Sequence, residues 1–169
     1  ALYDRLFDSG PPRRDKVVRL AAFADWLTGA PAPPPLLRLD VERLAPAARL
    51  ERPTALIQPF SAVPFKQSPA ALYRRVIAAL PADWRVRITG APGDLERNPS
   101  FAGLLDAPRV TFDASTFEAL VPVLRAARLV VSVDTALLHL AVAVGAPTLG
   151  LASAAFVGEI VPYAPAIAP

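Results

Sequence analysis

At 169 residues, with 53% hydrophobic and 20% charged residues, the chain is long and apolar enough for one well-cored domain, which excludes disorder. The balance of 18 basic against 15 acidic residues gives +3, and no aromatic residues interleave the arginines, so nothing points to nucleic acid. The chain has no cysteine and one histidine, which excludes disulfides, thiolate metal sites and a histidine-rich metal centre.

Residues 1–30 carry a helical pattern through Val17, Val18, Leu20, Ala21, Ala24 and Leu27, closed by Gly29. The start is charged from the fourth residue and does not read as a signal peptide. Residues 30–35 read APAPPP, a stiff polyproline-like connector. Leu36–Leu39 is expected to form a short edge strand. Val41–Leu50 reads as weakly helical and broken by Pro46.

From Pro53 the pattern becomes regular. Ala55-Leu56-Ile57 predicts a buried strand leading into a loop over Gln58–Ser68. Pro69–Leu80 predicts an amphipathic helix with Leu72, Val76, Ile77 and Leu80 inward. Trp84–Thr89 alternates as a strand and runs into the turn Gly90-Ala91-Pro92-Gly93. Phe101–Leu105 suggests a short helix and Arg109–Phe112 a third strand. Ser115 or Thr116 caps a helix through Leu124, with Glu118 near its start. Ser153–Pro169 is an Ala/Pro-rich tail.

The stretch Arg128–Leu151 is the most informative. Leu129, Val130, Val131 and Val133 form an apolar β-branched run, read as a strand buried on both faces. Asp134 and Thr135 are helix N-cap types. Leu137, Leu138, Leu140, Ala141 and Val144 then recur at helical spacing until Gly145, and Thr148–Leu151 is a further strand. Alternation of strands and helices from 53 to 151 predicts an α/β fold, a Rossmann-like three-layer domain with a mostly parallel sheet, preceded by a helix and a Pro-rich linker. Asp134 and Thr135 then fall at the carboxyl edge of the sheet, where ligands bind, beside a helix N-terminus that suits phosphate.

Asp134-Thr135-Ala136-Leu137-Leu138-His139, with its apolar flanks and Gly145-Ala146-Pro147 after it, resembles the Asp-Ser/Thr-Gly-x-x-His signature of the heptosyltransferases. These are two-domain GT-B enzymes of glycosyltransferase family 9. The resemblance covers the main domain and, more loosely, the N-terminal helix and connector. It implies that residues 53–169 are a nucleotide-sugar donor-binding domain, one half of a GT-B fold, and that 1–52 are the remnant of an interdomain region. It further implies transfer of a heptose-like sugar from a nucleoside diphosphate, ADP-heptose in the family, to a lipopolysaccharide core. The glycolipid acceptor and proposed catalytic carboxylate would belong to a preceding domain, leaving this chain inactive alone. No cofactor beyond the donor substrate is implied, and no DxD-like metal pair is apparent. The setting would be cytoplasmic, at the inner membrane face, and the basic balance is compatible with peripheral membrane contact.

Residue by residue, the resemblance assigns catalytic roles to Lys66 and Asp134. Ser61 and Lys66 would contact the diphosphate, although a lysine there also reads as simply solvated. Asp94, where the family usually has Glu, would hold ribose hydroxyls; Glu96 is its rival, and either reads as an ordinary loop acid. Ser115 stands where the family places an apolar residue against the base. Asp134 would orient sugar hydroxyls, and Thr135 and Ala136 would offer hydroxyl and backbone N–H groups to the phosphates; plain N-capping is the bland alternative. Ala136 replaces the family's Gly, and its Cβ limits phosphate approach and disfavours positive φ. His139 would lie beside the diphosphate, or be a satisfied structural residue. The last loop, from Ala152-Ser153, departs from a Gly-Pro-Thr-like pattern, with Ser153 left to reach the donor. Two other functions fit the residues: a degenerate, non-catalytic interaction module, and a GT-B enzyme with another donor.

Overall fold

A computed structural model of the chain describes residues 7, 8, 10, 15–31, 37–40, 43–153 and 159. The chain forms two compact units, Ala1–Leu37 with Ala152–Pro169, and Arg38–Leu151. In the first unit, α1 (Lys16–Thr28) begins at Asp15, whose carboxylate accepts from the Val17 N–H at 2.8 Å. It ends at Gly29, whose φ of 71° gives the left-handed cap that a glycine adopts without strain. The rings of Phe23 and Trp26 stack, with Phe7 against both. The expected connector lies outside the described residues except for Ala30 and Pro31, as does the tail except for Ser153 and Glu159.

The second unit is one sheet with helices on both faces. Its strands are β1 (Thr54–Gln58), β2 (Arg85–Thr89), β3 (Val110–Asp113), β4 (Leu129–Val133) and β5 (Thr148–Leu151). They pair in the order β3-β2-β1-β4-β5, and all four pairings are parallel. Strand order therefore reverses beside β1, where β2 lies on one side and β4 on the other. The carboxyl ends of β1 and β4 flank the crevice that such a reversal opens.

Alternate residues of the central strands feed two cores. Ile57, Ile88, Val131 and Val133 face one side, covered by α2 (Ala70–Ala79) through Tyr73 and Ile77, and by the 3-10 segment Pro99–Leu104 through Phe101 and Leu104. Leu56 and Val130 face the other, covered by α4 (Phe117–Ala126) and α5 (Ala136–Ala143). β1 and β4 are apolar on both faces because both are covered, as parallel central strands require. The expected α2 stripe is only partly right. Tyr73 and Ile77 are buried while Leu72, Val76 and Leu80 are half-buried, so the inward face is centred on Tyr73. Arg109 closes the C-terminal end of α2, its guanidinium donating to the carbonyls of Ile77, Leu80 and Pro81.

Two expectations fail between residues 37 and 50. Residues 37–40 form no strand: the Leu39 N–H donates at 2.7 Å to Ala143 O, at the end of α5, instead of joining a ladder. Residues 43–50 hold no α-helix. Pro46 interrupts the pattern, and the backbone is spent on α4, with Ala48 N–H donating to Pro122 O and Ala45 O accepting from Arg125. No helix among the described residues is long and apolar enough to cross a membrane.

Candidate functional site

Five of the eight residues singled out in the sequence line one cleft of about 860 Å³ at the carboxyl edge of the sheet: Ser61, Asp94, Ser115, Thr135 and Ala136. The other three, Lys66, Asp134 and His139, form a polar cluster next to it, since Asp134 directly precedes Thr135. Lys66 lies in the 3-10 turn Pro64–Lys66 after β1, and Asp134 follows β4. The Lys66 Nζ donates to Asp134 Oδ2 at 2.7 Å. His139 Nε2 stands 3.4 Å from the other carboxylate oxygen. Asp134 is only 6% exposed, whereas Lys66 and His139 keep 23% and 35% of their side-chain surface. One buried carboxylate thus anchors a half-exposed cation at the strand-order reversal.

The start of α5 completes this end of the cleft. Thr135 occupies the N-cap position, but its hydroxyl makes no capping bond and turns towards Val133 O and Ser132 Oγ. The plain capping expected of Thr135 is therefore absent, and among the described residues no side chain accepts from the first-turn N–H groups. Such groups, at the positive end of the helix dipole, favour an anion. Ala136 opens α5 as a helical residue, and no non-glycine among the described residues has positive φ. The expected conformational handicap of replacing Gly is thus absent. Only the steric one remains, because Ala136 is exposed at the cleft rim.

Ser61 shapes its own loop, its Oγ accepting from Val63 N–H at 3.1 Å while Gln67 Nε2 donates to Ser61 O. Asp94 begins the short helix α3 (Asp94–Arg97), and its two oxygens take the Ala91 N–H at 2.6 Å and Arg97 Nη2 at 2.8 Å. It therefore closes the turn after β2, and hydroxyls would have to use its remaining lone pairs. Glu96 is exposed and makes neither contact. Ser115 is exposed at the cleft and does not cap α4; Thr116 does, accepting from Ala119 N–H.

Sequence reasoning missed several residues that build the cleft. Thr89 Oγ1, fully buried, donates to Gln58 Oε1 at 2.7 Å, and Gln58 Nε2 donates to Phe60 O, fixing the loop after β1. Asp113 accepts from Ser115 N–H at 3.0 Å and Arg87 Nη1 at 3.2 Å. Burial opposes its ionisation, but the bonds from Ser115 and the Arg87 guanidinium outweigh it and hold the carboxyl below its ordinary value. Phe60 forms part of the cleft wall and Phe117 stands exposed at its rim. Position at a strand's carboxyl end was the available signal for Gln58 and Asp113. Among the described residues no group of three His, Cys, Asp or Glu is placed to hold a metal ion.

Gly90 is needed here for space. A Cβ would stand 2.8 Å from the buried Phe60 ring and 3.0 Å from Asp94 Oδ2. Gly90→Ala is expected to cost about 1–3 kcal/mol by overpacking. Chemical denaturation measures it, and an unchanged midpoint would show that the ring yields freely.

A family model for glycosyltransferase family 9 (heptosyltransferase) matches residues 8–168. The chain belongs to glycosyltransferase family 9. No curated protein matches it significantly. Among solved structures, this family 9 chain is similar to the E. coli heptosyltransferase WaaC with ADP-2-deoxy-2-fluoro heptose, at 23% identity and TM-score 0.65, covering 88% of this chain and 48% of that one. It is similar to WaaC with ADP at 29% identity and TM-score 0.50, covering 57% and 32%. The E. coli ADP-heptose lps heptosyltransferase II matches at 22% identity and TM-score 0.50, covering 59% and 32%. The chain thus spans about half or less of the solved structures it matches. The sequence predicts a Rossmann-like domain with a mostly parallel sheet; the sheet is parallel throughout, and this is the fold of these heptosyltransferases.

Proposed function

We propose that this chain is the donor-binding half of a heptosyltransferase that moves a heptose-like sugar from ADP-heptose to a lipopolysaccharide core acceptor. The observation that supports this most is the junction of the Lys66–Asp134–His139 cluster with the uncapped start of α5, at the open end of a mostly apolar cleft. The apolar wall near Phe117 and Ser115 suits a base, the turn held by Asp94 suits a ribose, and the α5 terminus suits a diphosphate. As the bond from the anomeric carbon to the distal phosphate breaks, the diphosphate takes the electron pair. Lys66 and the first-turn N–H groups are set to absorb that charge. Asp134 holds the Lys66 ammonium in place and presents its free lone pairs to sugar hydroxyls. The acceptor hydroxyl, and the base that takes its proton, would come from the other half of a two-domain enzyme. On this proposal the reaction is cytoplasmic, at the inner membrane face where the glycolipid acceptor resides.

Calorimetric titration with ADP, UDP and GDP tests the donor site. ADP should bind with micromolar-to-millimolar affinity. Lys66→Ala should raise its Kd about ten- to hundredfold, the about 1.5–3 kcal/mol of a charged hydrogen bond. Ala136→Gly should tighten binding by removing the Cβ at the rim. Variants are first checked for folding by circular dichroism. A wild-type chain that binds no nucleotide, or a folded Lys66→Ala that binds ADP unchanged, would sink the proposal.

A further inference from the structure

The opposite end of the sheet carries an arginine-lined cavity that the donor site does not use. It measures about 360 Å³ and is bordered by Arg49, Arg52, Arg85 and Arg87, with Thr54 and Thr111 between them. Thr54 and Arg85 are the first residues of β1 and β2, so the cavity lies towards the amino edge of the sheet and shares no residue with the cleft. Its existence follows from the layering. α4 and α5 bury their face of β1 and β4, but no β2 or β3 residue enters that core, so there the alternation of β2 turns Arg85 and Arg87 outward.

The charge count is one-sided. Glu51 is the one acid lining the cavity, and it forms no ion pair among the described residues. Arg85 gives one guanidinium N–H to Pro108 O and Arg87 one to Asp113, leaving most of their five donors unused. Arg49 and Arg52 make no side-chain hydrogen bond or ion pair among the described residues. Guanidinium groups keep their charge at any ordinary pH, so four of them around one cavity favour an anion there. Arg52 also borders a second cavity, of about 440 Å³, with Arg125 and Arg128.

We propose that this amino-edge cavity is a second anion site that takes a phosphate-bearing ligand, clasped by the paired forks of Arg49, Arg52 and Arg85. Planar guanidinium forks match phosphate oxygens two at a time, and the cavity has room for more than one phosphate. The phosphate comes either from a free small molecule or from the headgroup of an anionic lipid.

The test uses inorganic pyrophosphate and vesicles. Titrations are run on Lys66→Ala, which cripples the proposed donor cradle, and on Lys66→Ala carrying Arg49→Gln and Arg52→Gln. Both arginines are exposed and unpartnered, so the fold should survive, and thermal melting confirms it. Pyrophosphate binding that persists in Lys66→Ala and weakens at least tenfold with the arginine changes supports the site with a free-phosphate source. Sedimentation with phosphatidylglycerol vesicles, absent with phosphatidylcholine and lost with the arginine changes, supports it with a lipid source. Binding to neither probe, or binding indifferent to Arg49 and Arg52, overturns it. ADP affinity in the otherwise wild-type chain should not respond to these two changes, so failure here and failure of the donor site are read separately.

Discussion

Replacing Phe60 with alanine should cost the fold about 3–5 kcal/mol and weaken nucleotide binding in the same stroke. The ring is 3% exposed, with its centroid 5.1 Å from that of Phe101 and 6.3 Å from that of Phe112. It belongs to the core over β1 and β2 and also to the cleft wall, so one deletion leaves a void in both. The main chain should stay in place, because Gln58 Nε2 holds Phe60 O at 3.0 Å. Against a typical domain stability of about 5–15 kcal/mol the loss is large but survivable. Urea unfolding should show a lower midpoint at an unchanged slope, and ADP should bind the folded variant more weakly. Phe60→Leu should recover part of both. A Phe60→Ala unfolding free energy within about 1 kcal/mol of wild type would mean that the ring does not join cleft to core.

The second large effect is expected at Asp134. Its carboxylate is nearly buried and its partners include Lys66 and His139, so Asp134→Ala takes from the Lys66 ammonium its 2.7 Å carboxylate partner. Removing one partner of a fully buried pair costs about 3–5 kcal/mol. Lys66 is 23% exposed and partly screened by water, so about 2–3 kcal/mol is expected. A double-mutant cycle of Asp134→Ala with Lys66→Ala isolates the pair and should return a coupling of about 1–2 kcal/mol. Additive losses would show that the 2.7 Å contact is energetically idle. Asp134→Ala should also weaken ADP binding, because an unanchored Lys66 loses its pre-organisation.

Parallel strands covered on both faces advertise themselves, which is why Ala55–Ile57 and Leu129–Val133 were legible from their apolar runs. Arg85–Thr89 was legible for the opposite reason, since one of its faces is left to arginines. The motif around Asp134 brought out His139, and the loop after the first strand brought out Lys66, but their meeting on one carboxylate depends on strand order, which no local pattern encodes. Within Leu36–Leu39 and Val41–Leu50, the described residues 37–39 and 43–50 were misread because short apolar segments look alike whether they build a ladder or lie across helix ends. The polar pair of Thr89 and Gln58, and the bond from Arg87 to Asp113, were invisible for a similar reason. Each joins neighbouring strands whose register is set by the whole sheet.

The reversal of strand order at β1 also sets a timetable. Lys66 and Asp134 are 68 residues apart in the chain, and β4 can dock on β1 only after β2, β3 and α4 have been traversed. Loop closure of that length is entropically slow to repay, so the β1–β2–β3 half can organise before the β1–β4 seam exists. On the proposed function, a nucleotide gripped across that seam would hold together what formed last. It should slow unfolding while leaving the refolding rate almost untouched, a split that stopped-flow kinetics with and without ADP resolves. On the proposed function, the nucleotide would be a latch on the finished sheet rather than a template for making it.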